Sequence, residues 1–140
     1  GKLVTDSRRI RYPVPYLETE AYPGFPTDMQ SVLMSVLATV KGDSVIREQI
    51  FEERFKIVSP LNRMGARILV DGRDALIHGT SALKGQHVFA EELRGGAALV
   101  LAGLAAEGVT FIEKPHFIRR GYENFCENLA ALGGKITVDK

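Results

Sequence analysis

The sequence contains a single cysteine, Cys126, so the chain forms no internal disulfide, as is usual for proteins of the reducing cytoplasm. Long apolar runs are also missing. The longest, residues 97–106, is too short and too rich in glycine and alanine to span a bilayer. Residues 1–11 carry charges without the apolar core of a signal peptide. We therefore expect a cytoplasmic protein that has no membrane partner.

Motifs that bind metals, nucleotides or nucleic acids are absent as well. His78, His87 and His116 are far apart, and no cysteine or carboxylate spacing joins them into a ligand set. Neither the G-x-x-x-x-G-K-S/T loop nor the G-x-G-x-x-G loop that bind nucleotides occurs in the sequence. Lys plus Arg total 18 and Asp plus Glu total 17, a balance that argues against a dedicated nucleic-acid binder. We expect no metal, no cofactor and no nucleic acid.

Hydrophobic periodicity predicts helices alternating with strands in a soluble α+β chain. The predicted helices cover residues 28–41, 58–64, 92–107 and 122–132, and the predicted strands cover 7–12, 44–48, 66–70, 75–78, 110–113 and 135–138. Asp71-Gly72 indicates a hairpin-like turn between the two central strands.

The first predicted helix has one apolar face, with apolar residues at i, i+3, i+4, i+7, i+8 and i+11 from Met29. Thr27 and Gln30 match a capping box, which predicts Thr27 as the N-cap. Gly42 indicates where the helix ends.

The predicted elements align as one unit repeated twice, at about residues 22–79 and 80–140. Arg54 follows Gly42 at the spacing with which Arg120 follows Gly108. Each unit runs helix, strand, helix, strand.

The long helix of the second unit consists largely of glycine and alanine. Gly95 and Gly96 in its first turns each cost about 1 kcal/mol of helix stability relative to alanine. Close packing against other helices, or close approach of a ligand to the backbone, would offset that cost. We expect this helix to be buried among helices, with strands outside.

Asp28 falls at the start of the first helix, where free N–H groups and the helix dipole favour a carboxylate. There it could accept a hydrogen bond or a proton from a sugar hydroxyl. A plain helix-cap acid is the alternative.

Arg94 lies in the first turn of the second long helix, where the dipole disfavours a cation. Its surroundings suit a phosphate or carboxylate, because Gly95 and Gly96 open the backbone N–H groups of that turn. The alternative is a solvent-facing Arg94 paired with Glu91 or Glu92.

Arg119 and Arg120 precede the last predicted helix. Two guanidinium groups in that place could clamp an anion, or they could form a solvated charge pair. Cys126 lies within the helix among apolar residues, which favours packing over a nucleophilic role.

Four strings, in this order, resemble the later part of the UDP-N-acetylglucosamine enolpyruvyl transferases. They are PGFPTDMQ at 23–30, FEERF at 51–55, LRGGA at 93–97 and RGYE at 120–123. The resemblance runs from about Tyr22 to the carboxyl end. The sister enzyme that makes enolpyruvylshikimate phosphate shares the fold but not these strings.

The resemblance implies an inside-out α/β barrel of two lobes, each with three repeats whose helices pack inward and whose sheets face outward. Residues 1–140 would then be part of one lobe, with two of six repeats. The implied reaction transfers enolpyruvyl from phosphoenolpyruvate to the 3-hydroxyl of UDP-N-acetylglucosamine. This is the first committed step of peptidoglycan synthesis, on which cell shape and division depend.

The resemblance also implies roles for single residues. Asp28 would contact the sugar 3-hydroxyl and take its proton, and the backbone of Ile50 would contact the UDP-sugar. Arg94 and Arg120 would bind phosphoenolpyruvate, and Arg54 would support the site.

Two positions depart from the family pattern. Glu92 stands where the family usually has aspartate near the reacting carbon, and Arg119 stands where aspartate is more frequent. The family's proton-donating cysteine, a lysine, an asparagine and a further arginine belong to the other lobe. Cys126 does not correspond to that cysteine.

We therefore expect the chain alone to be inactive and to need the missing amino-terminal lobe as its partner. The alternative is a non-catalytic module of the same repeat fold that binds an anion or an RNA phosphate. Asp28 discriminates between the two, because a phosphate binder has no need for a carboxylate opposite two arginines.

Overall fold

A computed structural model describes residues 1–6, 8, 12–80 and 82–139. The strands are β1 (Leu17–Glu18), β2 (Gly42–Arg47), β3 (Arg67–Asp71), β4 (Asp74–Gly79), β5 (His87–Phe89) and β6 (Phe111–Glu113). The helices are α1 (Gln30–Leu37), α2 (Val58–Arg63), α3 (Leu93–Ala105), α4 (His116–Arg119) and α5 (Phe125–Ala131). A 3-10 turn, Thr27–Met29, leads into α1. The strand predicted at residues 7–12 falls mostly outside the described ranges.

The strands form two sheets. The first has the order β1-β2-β4-β3, with β1 parallel to β2 and the other neighbours antiparallel. The hairpin predicted at Asp71-Gly72 is confirmed, because β3 and β4 pair with Asp71 opposite Asp74. The second sheet is the parallel pair β5 and β6. The sequence pattern did not indicate the short strands β1 and β5.

α3 is buried among helices, as its composition predicts. It packs against α1, α2 and α4, and residues of its first two turns are inaccessible to solvent. The core continues from this helix to the inner face of the first sheet. Its fully buried side chains include Met34, Leu61, Ile46, Ile77 and Leu99. No helix in the described part of the chain is long and apolar enough to cross a membrane.

The predicted core face of α1 is wrong in part. Val32 and Leu33 are only half-buried against the core, whereas Ser31 and Ser35 are fully buried. α1 and α3 form the most extensive contact between helices, and small side chains on both let the two backbones approach closely. Burial on α1 therefore follows side-chain size as well as polarity.

The predicted capping box and helix end are also corrected. The hydroxyl of Thr27 does not cap the helix but donates to Glu48 Oε2 at 2.9 Å. α1 ends at Leu37 and continues as tight turns, in which Thr39 N donates to Val36 O and Val40 N to Leu37 O. The chain thus reaches β2 without a glycine cap on the helix.

The end of the chain differs most from the prediction. Residues 135–138 form no strand. In the predicted repeat they match β3, which pairs in the first sheet only with β4. The second sheet has no described strand that matches β4, so residues 135–138 lack a pairing partner. The predicted helix at 122–132 is shorter, since α5 begins after Asn124, whose φ of 47° is left-handed. The short helix α4 was not predicted.

Cys126 lies on α5 and is half-buried, which agrees with a packing role. Burial raises the pKa of its thiol, and the neighbouring Glu127 carboxylate raises it further, while Arg119 partly opposes both effects. The thiol is therefore predominantly protonated near neutral pH, a state unsuited to nucleophilic attack.

Candidate functional site

Asp28 and Arg94 meet at the amino-terminal ends of α1 and α3. Nε of Arg94 lies 2.6 Å from Oδ1 of Asp28, a charge-assisted contact. Among the described residues, the Asp28 carboxylate contacts only guanidinium groups and caps no backbone N–H. The helix-cap alternative for Asp28 is therefore wrong, and so is the pairing of Arg94 with Glu91 or Glu92.

Arg54 approaches the same carboxylate from the loop between β2 and α2. Its Nη1 lies 3.8 Å from Asp28 Oδ1, too far for a hydrogen bond. This nitrogen is inaccessible to solvent and has no hydrogen-bond partner among the described residues. The guanidinium carbon lies 4.2 Å above the ring centroid of Phe51, a cation–π contact that fixes its position. The site thus holds one carboxylate between two cations.

Glu92 is the N-cap of α3. Its Oε2 accepts from Arg94 N at 3.1 Å and its Oε1 from Gly95 N at 2.5 Å. The backbone N–H groups of Arg94 and Gly95 are therefore already occupied, and the expectation that they bind an external anion is wrong. A Cβ on residue 95 would lie 2.7 Å from Glu92 Oε1, so glycine leaves room for this cap.

Gly96, the second glycine of α3, lets α4 pack closely against this helix. A Cβ on Gly96 would lie 2.8 Å from Cγ1 of Ile118, and a Cβ on Gly121 would lie 2.4 Å from Cδ2 of Leu93. Close helix packing, rather than access for a ligand, explains the glycine. Arg120 lies between Ile118 and Gly121, so its backbone is held beside the first turn of α3.

Arg119 is the last residue of α4 and Arg120 follows it, so neither opens a helix, and both are exposed. Neither guanidinium forms an ion pair with any described residue. Both arginines therefore lie on the segment that packs against the first turn of α3.

Ile50 lies at the rim, in the loop that follows β2. Its side chain is exposed, and its backbone N donates to Glu48 Oε1 at 2.9 Å. Its backbone carbonyl remains as the group able to contact a ligand.

Glu48 is a buried carboxylate beside the site that the predictions from sequence did not include. It is 1% exposed and receives hydrogen bonds from Thr19, Thr27 and the loop at Ile50. A signal was available: buried and less buried residues alternate along β2, and Glu48 continues the buried series of Ser44 and Ile46.

Within the described ranges, no three side chains of the histidine, cysteine, aspartate or glutamate types are arranged to hold a metal ion. The arrangement suits different chemistry. A carboxylate can accept a proton from a hydroxyl, while neighbouring guanidinium groups can orient an anion beside it.

The fold is that of the enolpyruvyl transferases. The enolpyruvyl transferase NikO from Streptomyces tendae superimposes with a TM-score of 0.80 and 31% identity, over 91% of this chain and 29% of that one. The EPSP synthase from Acinetobacter baumannii has the same fold, with a TM-score of 0.67 and 24% identity over 91% of this chain and 28% of its own. The predicted fold class is confirmed.

The chain belongs to the EPSP synthase (3-phosphoshikimate 1-carboxyvinyltransferase) family, whose model matches residues 8–129. A UDP-N-acetylglucosamine 1-carboxyvinyltransferase 2 from Carboxydothermus hydrogenoformans is 54% identical over 86% of this chain and 29% of its own length. A UDP-N-acetylglucosamine 1-carboxyvinyltransferase from Desulfofundulus thermocisternus is 55% identical over 86% of this chain and 49% of its own. The resemblance predicted from the four strings is confirmed. The chain spans less than half the length of these relatives.

Proposed function

We propose that this chain forms one wall of the active site of a UDP-N-acetylglucosamine 1-carboxyvinyltransferase. The observation that carries the proposal is the carboxylate of Asp28 held at 2.6 Å by Arg94, with Arg54 behind it. The chain is also 54% identical to an enzyme of that name. The reaction transfers enolpyruvyl from phosphoenolpyruvate to the 3-hydroxyl of UDP-N-acetylglucosamine.

Asp28 is the proton acceptor of this reaction. It takes the proton of the 3-hydroxyl as the oxygen bonds to the phosphate-bearing carbon of phosphoenolpyruvate. Loss of phosphate together with one proton of the newly formed methyl group later restores the double bond. The proton added to the methylene carbon comes from a group in the missing lobe.

Arg94 links the two substrates. Its Nε faces Asp28, and none of the described residues occupies its other N–H groups, which remain for an oxygen of phosphoenolpyruvate. Arg120, exposed at the same end of α3, supplies the second guanidinium. Phosphoenolpyruvate carries both phosphate and carboxylate, so two forked cations suit it.

The remaining site residues either contact the UDP-sugar or hold the other site residues in place. Because Ile50 N is bound to Glu48, the Ile50 carbonyl is the backbone group that accepts from the UDP-sugar. Glu92 contributes by capping α3 beside Arg94 and not by contact with the reacting carbon. Arg54 supports Asp28 through its charge.

The chain contributes two repeats of one lobe, at about residues 22–79 and 80–140. One feature supports this division: Gly42 and Gly108, like Gly65 and Gly133, occupy matching places in the two units and have positive φ. The partner is the amino-terminal lobe. The setting is peptidoglycan synthesis in the cytoplasm, and through it cell shape and division.

The chain alone is expected to release no phosphate from phosphoenolpyruvate and UDP-N-acetylglucosamine, because the proton donor and half of the anion ligands belong to the other lobe. The full-length protein that carries this chain is expected to release it. A phosphate-release assay on both proteins makes the comparison. Turnover by the chain alone that is abolished by Asp28→Ala would refute the division of the site between lobes.

A further inference from the structure

We propose that Glu48 is a positioning residue that sets where the UDP-sugar lies relative to Asp28, an inference that rests on the proposed function. Glu48 follows β2 directly and belongs to none of the four strings that resemble the family. Its carboxylate is 1% exposed. Burial of a carboxylate is unfavourable unless its oxygens are satisfied by hydrogen bonds, so the donors around it define what it does.

Four donors converge on this carboxylate. Thr19 Oγ1 donates at 2.7 Å, Ile50 N at 2.9 Å and Phe51 N at 3.2 Å, all to Oε1, and Thr27 Oγ1 donates to Oε2 at 2.9 Å. No basic side chain among the described residues forms an ion pair with it. The charge is thus spread over hydrogen bonds that tie together three separate segments of the chain.

Two of these three segments lead directly to residues of the site. Thr27 immediately precedes Asp28, so its bond to Glu48 anchors the start of a turn that is otherwise held by the backbone bonds from Met29 N to Pro26 O and from Gln30 N to Thr27 O. The amides of Ile50 and Phe51 place the Ile50 carbonyl at the rim and the Phe51 ring under Arg54. One buried side chain therefore fixes the distance between the acceptor for the UDP-sugar and the proton acceptor.

The anion ligands have supports that do not involve Glu48. Besides its contact with Asp28, Arg94 is placed by α3 and its Glu92 cap, and Arg120 is placed by the packing of α4 on α3. A change at Glu48 should consequently alter the use of the UDP-sugar and leave phosphoenolpyruvate binding intact. A purely structural residue would not separate the two substrates in this way.

Glu48→Gln in the full-length protein tests this separation. The Gln oxygen can still accept from the amides of Ile50 and Phe51, but its amide group replaces the oxygen that faces Thr27 and removes the charge. We expect the KM for UDP-N-acetylglucosamine to rise roughly tenfold and kcat to fall by a similar factor. The KM for phosphoenolpyruvate should stay within about twofold of the parent value.

Glu53→Gln is the matched control, because Glu53 is exposed in the same loop and its side chain forms no hydrogen bond or ion pair with a described residue. It should leave both KM values unchanged. If Glu48→Gln gives the kinetics of this control, or lowers kcat only in proportion to a loss of folded protein, the positioning role is refuted. A parent protein that does not turn over refutes the proposed function instead.

Thr27→Val removes the single hydroxyl bound to Oε2 and keeps the side-chain shape, so it serves if Glu48→Gln does not fold. It should lower kcat and leave the KM for phosphoenolpyruvate unchanged. Amide hydrogen exchange gives a readout without turnover. Exchange at Ile50 and Phe51 should accelerate in Glu48→Gln and not in Glu53→Gln, and equal exchange in both would contradict the proposal.

Discussion

Asp28→Asn is expected to reduce kcat of the full-length protein by about 10²- to 10⁴-fold, the usual contribution of a general base. Asparagine keeps an oxygen for Nε of Arg94, which lies 2.6 Å from the carboxylate, so the two side chains can keep their positions although the ion pair is lost. Its amide cannot take a proton from the sugar hydroxyl. The KM values for both substrates should therefore change little.

The matched control is Asp43→Asn. Asp43 also contacts a basic side chain, that of His78, and its side chain is 66% exposed against 59% for Asp28. This variant should keep kcat within about twofold. Steady-state phosphate release over a range of both substrates makes the measurement. A rate for Asp28→Asn equal to that of the control would mean that another group takes the proton.

Arg120→Ala is expected to weaken phosphoenolpyruvate binding by roughly 1.5–3 kcal/mol, or about ten- to a hundredfold, through loss of a charge-assisted contact. Arg120 is exposed and forms no ion pair with the described residues, so its removal leaves no buried charge unpaired. The affinity for UDP-N-acetylglucosamine should be nearly unchanged. Isothermal titration with each substrate separates the two effects.

Arg119→Ala is the control for this variant, since Arg119 is the neighbouring exposed arginine at the end of the same short helix. We expect it to bind phosphoenolpyruvate like the parent protein, within about twofold. Unchanged affinity in Arg120→Ala would remove Arg120 from the anion site. Equal weakening in both variants would instead indicate a general effect of positive charge at this end of α3.

The elements predicted from the sequence are those whose pattern is local. The small-residue composition of α3 predicted its burial, and Asp71-Gly72 predicted the hairpin of β3 and β4. Both predictions need only the composition of one helix or the residues of one turn.

The parts that failed depend on contacts distant in sequence. Thr27 matches a local capping pattern, but Glu48, 21 residues away, takes its hydroxyl. Residues 135–138 have strand character without a described neighbour to pair with, and strand formation requires that neighbour. Glu92 was missed as a cap because glutamate is not among the preferred N-cap residues.

The burial of Glu48, unlike its partners, can be predicted from the sequence. A glutamate in register with Ser44 and Ile46 on a strand predicts a buried carboxylate, which requires several donors. Which donors it finds is decided by the fold, since Thr19, Thr27 and Ile50 come from three segments. The sequence could therefore point to the residue but not to its partners.

The central claim is that this chain supplies a working wall of a UDP-N-acetylglucosamine 1-carboxyvinyltransferase. The most direct measurement uses a chimera in which this chain replaces the matching segment of the Carboxydothermus hydrogenoformans relative, to which it is 54% identical over 120 residues. Phosphate release is followed in the presence of both substrates. We expect the chimera to turn over within about tenfold of the relative, and to lose about 10²- to 10⁴-fold of that rate with Asp28→Asn. A folded chimera that binds both substrates but releases no phosphate would contradict the claim.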